Sequence, residues 1–344
     1  MDERLRELLR EVAGAPDAGA LVRIARDLER NGELPAAANA YDAAFGLEPE
    51  DAPLAAARAQ VLDALAVEEL GIAWRYVPAG SFLMGSAHGD PDERPVHAVE
   101  LDAFWIADVP ISWERYHALA GWPPPPEGWP NPDGAGLRLP RAAYWAGEEH
   151  KVRGPFCDDD LQRASDWRWD RPGSYATKPV VAVTWSAVTA LGAHLSGERW
   201  IYRLPTEAEW EKAARGGRVG ARYAWGDAPP TPECCDCDAL ERRGIRPSRA
   251  TPANGYGLHA MCGGVWEWTG DLYDATWYSR SPRADEGGPR EGEERVIRGG
   301  SWADAPAACT VSFRASCVDN ETHRGGGYLT PNLGFRLVRV PRGR

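Results

Sequence analysis

Residues 203–217, Arg203-Leu204-Pro205-Thr206-Glu207-Ala208-Glu209-Trp210-Glu211-Lys212-Ala213-Ala214-Arg215-Gly216-Gly217, hold the pattern on which the fold turns. Thr206 offers an oxygen where a helix start leaves N–H groups free. Glu209, three residues on, can reach back to the Thr206 N–H, which makes a capping box. Ala, Glu, Lys and Arg then favour helix, and Gly216 supplies a left-handed exit. The segment predicts a short, sharply bounded helix entered from an extended stretch.

Other compact motifs flank this helix. Upstream, residues 75–86 read as a strand, a Gly turn and a second strand, and residues 92–99 lead into Leu101-Asp102-Ala103-Phe104-Trp105-Ile106. Residues 178–185 are strand-like and open a helix to about Leu195. Downstream come Tyr223-Ala224-Trp225-Gly226-Asp227, Gly264-Val265-Trp266-Glu267-Trp268, Arg298-Gly299-Gly300-Ser301-Trp302 and Asn332-Leu333-Gly334-Phe335-Arg336.

Composition divides the chain near residue 70. Of 344 residues 16 are Trp, against 6 Phe and 3 Met, and no Trp precedes Trp74. The first 70 residues hold 7 basic and 15 acidic side chains, −8 of the formal net charge of −12. Residues 3–69 read as helices rich in Ala and Leu, with Leu21, Ile24, Ala25 and Leu28 on one face. A second helix carries Ala37, Tyr41 and Ala44, and a third covers roughly 52–67. This 1–70 leader resembles a tetratricopeptide (TPR) repeat. One repeat cannot bury its own apolar face, so it must pack on the third helix, on the body or on a partner. It serves either as a structural cap or dimerisation element, or as a protein-docking module.

The bulk properties exclude several classes. An acidic chain lacks the clustered Lys and Arg that phosphate neutralisation needs, so no nucleic-acid partner is expected. No run approaches 18 apolar residues, and the charged N-terminus has no apolar signal region, so no membrane association is expected. Seven cysteines without an export signal point to a reducing cytoplasm.

From the helix at 206–215 through the four downstream motifs, residues 74–341 resemble the formylglycine-generating enzyme family, the sulfatase-modifying-factor domain. The resemblance implies an α+β fold related to C-type lectins, with much irregular structure in which tryptophans supply the core. It also implies two cysteines, five positions apart after the Gly-Gly-Ser element, that hold Cu(I). Those positions are Asp304 and Cys309 here. A carboxylate with one thiolate is a poor Cu(I) site, so formylglycine chemistry is expected to be absent or altered. Cys317 substitutes only if its loop folds back; otherwise Cys309 and Cys317 are small hydrophobes. The ergothioneine-type branch of the family places iron with the help of histidines from an added helical bundle, and the leader contains none. A third branch, the variable proteins of retroelements, displays a ligand-binding surface in the place of residues 303–331.

Smaller signals remain. Glu233-Cys234-Cys235-Asp236-Cys237-Asp238 is dense in thiols and carboxylates. Cys234, Cys235 and Cys237, completed by His259 or Cys262, would make a zinc site; otherwise this is a loop of thiols. The resemblance implies structural calcium around Trp-Glu-Trp, with Glu267 as ligand and Gly264 where an Asn is usual. Residues 121–177 form an insertion with the run Pro123-Pro124-Pro125-Pro126 and then Trp129, Trp145, Trp167 and Trp169, read as shaping a ligand face or as decoration. The expected function is peptide or small-ligand binding in a pocket of Trp268, Trp302, Asp304, Arg314 and Asn332, with a protein or peptide partner on the leader. The rival is an oxygen-dependent metalloenzyme using Cys309 and Ser301 on a peptide or thiol substrate.

Overall fold

The computed structural model describes residues 17–121, 177–181, 183–237, 245–284, 287–319 and 332–343. The insertion tryptophans and residues 320–331 of the expected display segment lie outside the described residues. Among the described residues the leader forms the helices α1 (Ala18–Arg30), α2 (Leu34–Leu47) and α3 (Ala52–Ala64). Asp17 caps α1 by accepting from Ala20 N at 2.6 Å, and Asp51 caps α3 through Leu54 N at 3.0 Å. Leu21, Ala25, Ala37, Tyr41 and Ala44 are buried between the helices. Ile24 is 51% exposed, contrary to the face read from the sequence. At 100° per residue it falls on the margin of the stripe that Leu21, Ala25 and Leu28 define.

The leader packs on the body as well as on itself. Arg58 of α3 lies between the rings of Phe45 and Tyr256, 4.5 and 4.6 Å from their centroids. It pairs with Asp42 at 2.6 Å and donates to the carbonyls of Gly255 and Gly216 at 2.9 and 3.2 Å. The apolar faces of these helices are thus covered both by one another and by the body.

The body is a mixed helix-and-strand fold around two main sheets. In the first, β1 (Val67–Glu69), β2 (Ile72–Val77), β5 (Phe104–Ala107), β11 (Val338–Pro341) and β6 (Trp200–Arg203) pair antiparallel in that order. The last strand thus sits inside the sheet between β5 and β6. In the second sheet, β7 (Trp266–Leu272), β8 (Glu294–Arg298) and β9 (Arg314–Val318) run antiparallel, and β10 (Leu333–Gly334) joins β7 in parallel. A ribbon of β3 (Gly80–Met84) and β4 (His97–Leu101) completes the strands, with α4 (Trp113–Leu119) and α5 (Trp185–Leu195) packed alongside.

Within residues 203–217, Glu207–Arg215 form α6, and every residue of this helix is buried. Both halves of the capping box are made: Thr206 Oγ1 accepts from Glu209 N at 3.1 Å, and Glu209 accepts from Thr206 N at 2.8 Å. Gly216 exits with φ of +60°. A helix this polar is stable inside because its charges are matched from the other motifs. Glu207 receives Arg314 of β9 at 2.7 and 3.0 Å, and Glu211 receives Arg215 at 2.6 Å as well as Arg298 of β8. Trp210 Nε1 donates to Glu267 of β7 at 2.8 Å. These pairs fix α6 across the second sheet, and the end of that sheet carries the Gly-Gly-Ser turn.

Candidate functional site

The turn after β8 needs its two glycines. Gly299 and Gly300 have φ of +99° and +70°, where L side chains are strained. A Cβ on Gly300 would lie 2.6 Å from the Ala308 carbonyl and 2.7 Å from the Cys309 sulfur. The chain can therefore turn under Cys309 only without a side chain there. Asp304 closes the turn: its Oδ2 accepts from Trp266 Nε1 at 2.8 Å, from Ser301 N at 3.0 Å and from the Ser301 hydroxyl. Asn332 adds a donated bond to Ser301 Oγ at 2.7 Å. Ser301 is fully buried in this knot.

These contacts decide how the resemblance's copper pair fits. Residue 304 is a hard oxygen donor already serving three hydrogen bonds within its own turn, and Cu(I) selects thiolates. The Asp304 and Cys309 positions do not fit that group.

Cys309 instead meets other sulfurs. It follows the short turn Pro306–Ala308 and is fully buried. Its Sγ and those of Cys235 and Cys237 lie within 4.8 Å of one another. Hydrogen bonding to the Cys235 and Cys237 thiols, and then burial, push the Cys309 thiol far up. Cys234 is half-buried and takes its hydrogen bond from Thr231 N at 3.2 Å. Cys262 is buried, accepts from Ala224 N at 3.4 Å, and burial raises its thiol too. His259 Nδ1 lies 2.7 Å from the Thr251 carbonyl. Two of the three cysteines expected together thus come together, and their companion is Cys309, more than 70 positions away. No spacing rule signals that pairing, because it is made by the tertiary fold. Cys317 sits half-buried on β9 against a different apolar cluster and does not join the sulfurs.

The remaining candidates are placed as follows. Glu267 accepts from Arg336 Nε and Nη2 at 2.6 and 2.7 Å and from Trp210, so both its oxygens are committed. The Gly264 carbonyl accepts from Trp302 N at 2.9 Å. A guanidinium already neutralises the one carboxylate, so these residues do not fit calcium. Trp268 is fully buried with its indole N–H on the Val183 carbonyl at 2.9 Å, and Trp302 and Asn332 are buried as well. Arg314 is buried too. Beyond its pairing with Glu207 and the ring of Tyr278, 4.2 Å away, it lines an open groove with Asp90, Asp92, Arg94, Tyr273 and Thr276. The five residues expected to form one pocket therefore belong to a buried knot and to a separate groove.

Residues 72–341 match the family model described as the sulfatase-modifying factor enzyme 1-like domain. The chain belongs to this family. It is 33% identical over 292 residues to a formylglycine-generating enzyme of Streptomyces coelicolor, covering 76% of this chain and 87% of that one. It is 32% identical over 261 residues to a hercynine oxygenase of Mycolicibacterium smegmatis, covering 69% of this chain and 56% of that one. The fold is shared with Treponema denticola variable protein 1 at a TM-score of 0.54 and 20% identity, over 78% of this chain and 94% of that one. Among the described residues no helix is long and apolar enough to cross a membrane.

Proposed function

We propose that this chain is a ligand-binding member of the family in which the two-cysteine copper oxidase chemistry is not built. One observation carries the reading: Asp304, at the first cysteine position, anchors its own turn through Trp266 and Ser301. Overall identity does not discriminate, since relatives with two different activities in their names match almost equally well. The ligand is a peptide or small polar molecule, and the groove of Asp90, Asp92, Arg94, Tyr273, Thr276 and Arg314 is its place. With the Arg314 guanidinium committed to Glu207, the rim offers the carboxylates of Asp90 and Asp92 and the guanidinium of Arg94, which suits a ligand bearing both charges.

The leader adds a partner surface. Ile24 on α1 is an exposed large apolar side chain, and α1 also lines a cleft with β3 and β4. Because Arg58 ties α3 into the body, removal of the whole leader would damage the fold. Ile24→Asp is the cleaner probe, and it is expected to lose a partner captured by the full chain without lowering the unfolding temperature. An unchanged partner list counts against a docking leader.

The oxidase question is tested on the full-length chain loaded anaerobically with Cu(I). Oxygen uptake is then followed with cysteine-containing peptides. The binding reading predicts no uptake above that of copper with peptide alone. Turnover that disappears in Cys309→Ala overturns it and establishes the oxygen-dependent metalloenzyme.

A further inference from the structure

We propose that Cys235, Cys237 and Cys309 form a thiolate site for zinc(II). The inference does not rest on the binding reading, since a structural zinc is compatible with any activity at the groove.

Three backbone segments build the site. Asp236 pairs with Gly263 in an isolated parallel bridge, with Gly264 N on the Asp236 carbonyl at 2.8 Å. In extended chain, residues i−1 and i+1 project to the face opposite residue i. Pinning Asp236 therefore sends Cys235 and Cys237 to one side. Gly263 N in turn donates to the Gly299 carbonyl at 2.8 Å, which draws in the Gly-Gly-Ser turn and with it Cys309.

Glycine stands at two points where these segments meet sulfur. A Cβ on Gly263 would lie 3.0 Å from Cys235 Sγ, and one on Gly300 2.7 Å from Cys309 Sγ. Both have positive φ, +81° and +70°.

The distances suit the ion. With Zn–S bonds of about 2.3 Å, tetrahedral geometry places sulfurs about 3.8 Å apart. Sulfurs within 4.8 Å of one another need to close by about 1 Å or less. Binding displaces the thiol protons, as thiolate ligation requires. Three thiolates leave a negative charge on the zinc complex. Arg246 braces the same loop, donating to the Cys235 carbonyl at 3.2 Å and pairing with Asp236 at 3.2 Å. Cys234 packs against the same three side chains and is the adjacent thiol for a fourth position. Zinc suits this donor set better than calcium or magnesium, which take oxygen.

The test uses the full-length protein, expressed with both zinc and copper in the medium and purified under reductant without chelator. Elemental analysis is expected to find about one zinc per chain. Zinc content is expected to fall at least about fivefold in Cys235→Ser, Cys237→Ser and Cys309→Ser, and to hold in Cys317→Ser. Since a buried Cys→Ser change can itself disturb folding, the unsubstituted protein is also refilled with Co(II). Intense sulfur-to-cobalt charge-transfer absorption is the expected result. The proposal is overturned by a chain that takes up no zinc even when offered an excess under reductant. It is equally overturned if copper replaces zinc at stoichiometric level, if zinc survives in Cys309→Ser, or if alkylation at lysis, before any reductant is added, finds two of these cysteines in a disulfide.

Discussion

Two buried polar regions meet at Gly299-Gly300, and they are built on opposite principles. A Cβ on Gly299 would meet the ring of Trp210 at 3.2 Å, whereas one on Gly300 would meet Cys309. On the Trp210 side, carboxylates from α6 and β7 face guanidiniums: Glu207 with Arg314, Glu211 with Arg215 and Arg298, Glu267 with Arg336. On the Cys309 side stand three thiols, donors of one kind. The first region satisfies its charges internally, at the desolvation cost that every buried pair carries. The second concentrates soft ligands in a volume the size of one ion. The first is thus a structural lattice that sets the shape of the turn, and the second is the chemically competent feature the turn presents.

The largest test breaks the lattice. Arg336→Met leaves Glu267 buried beside Trp210 with its bidentate partner gone, and losing one member of a buried pair costs about 3–5 kcal/mol. Urea unfolding of the reduced, metal-free chain is expected to show that loss. Under the same conditions Cys309→Ala removes one small buried group and is expected to cost about 1 kcal/mol. Equal losses would erase the distinction between the two regions.

A smaller test addresses the turn that joins them. Asp304→Ala removes the acceptor for the Trp266 indole and for the Ser301 amide and hydroxyl, leaving donors buried without a partner. Each such donor costs about 1–3 kcal/mol, with some relief from water at the half-buried Asp304. A shift in urea midpoint corresponding to that range is expected. A midpoint within error of the unsubstituted chain would mean that Asp304 is not an anchor.

The contrast between the regions also explains what was legible from residues alone. The capping box, the Gly216 exit and the ordering of motifs were local, so sequence spacing was sufficient to read α6 and the family. Glu267 was singled out, but as an oxygen ligand, because its partner Arg336 lies 69 positions away in another motif. Cys235 and Cys237 were singled out with Cys234, their sequence neighbour. The fold instead adds Cys309, through a bridge at Asp236 and a turn at Gly300 that no local pattern encodes. Trp268 and Trp302 read as pocket rings because tryptophan lines pockets and cores alike; burial alone separates the two roles. Ile24 was misplaced for a simpler reason, since a three-residue step reaches the edge of a narrow stripe.

The smallest effect separates the regions by pH. Lys212 of α6 is the cation of the first region held by carbonyls, those of Pro78 and Gly80 at 2.6 and 2.9 Å. Burial, with Asp42 opposing and Arg58 adding, pushes its pKa down from 10.5 to about 8. Between those values the unfolded chain binds the proton and the folded chain does not, so stability rises with pH through the window. The thiols of Cys262 and Cys309 are displaced the other way, upward from 9.0. Above pH 9 the unfolded chain loses those protons while the folded chain keeps them, and stability falls. Tyr256 and Tyr278, raised well above 10.0 by burial, add to the fall at higher pH. Lys212 alone adds about 1 kcal/mol from pH 8 to 9, at about 1.4 kcal/mol per unit for one proton. The two thiols offset most of it there, so the metal-free chain is expected to gain only about 0.3 kcal/mol over that step and to lose stability beyond. Lys212→Met should abolish the rise and steepen the fall up to about pH 10.5, while Cys309→Ala should enlarge the rise and make the fall shallower. A double variant whose profile is not the sum of the two single changes would show that the two regions titrate as one.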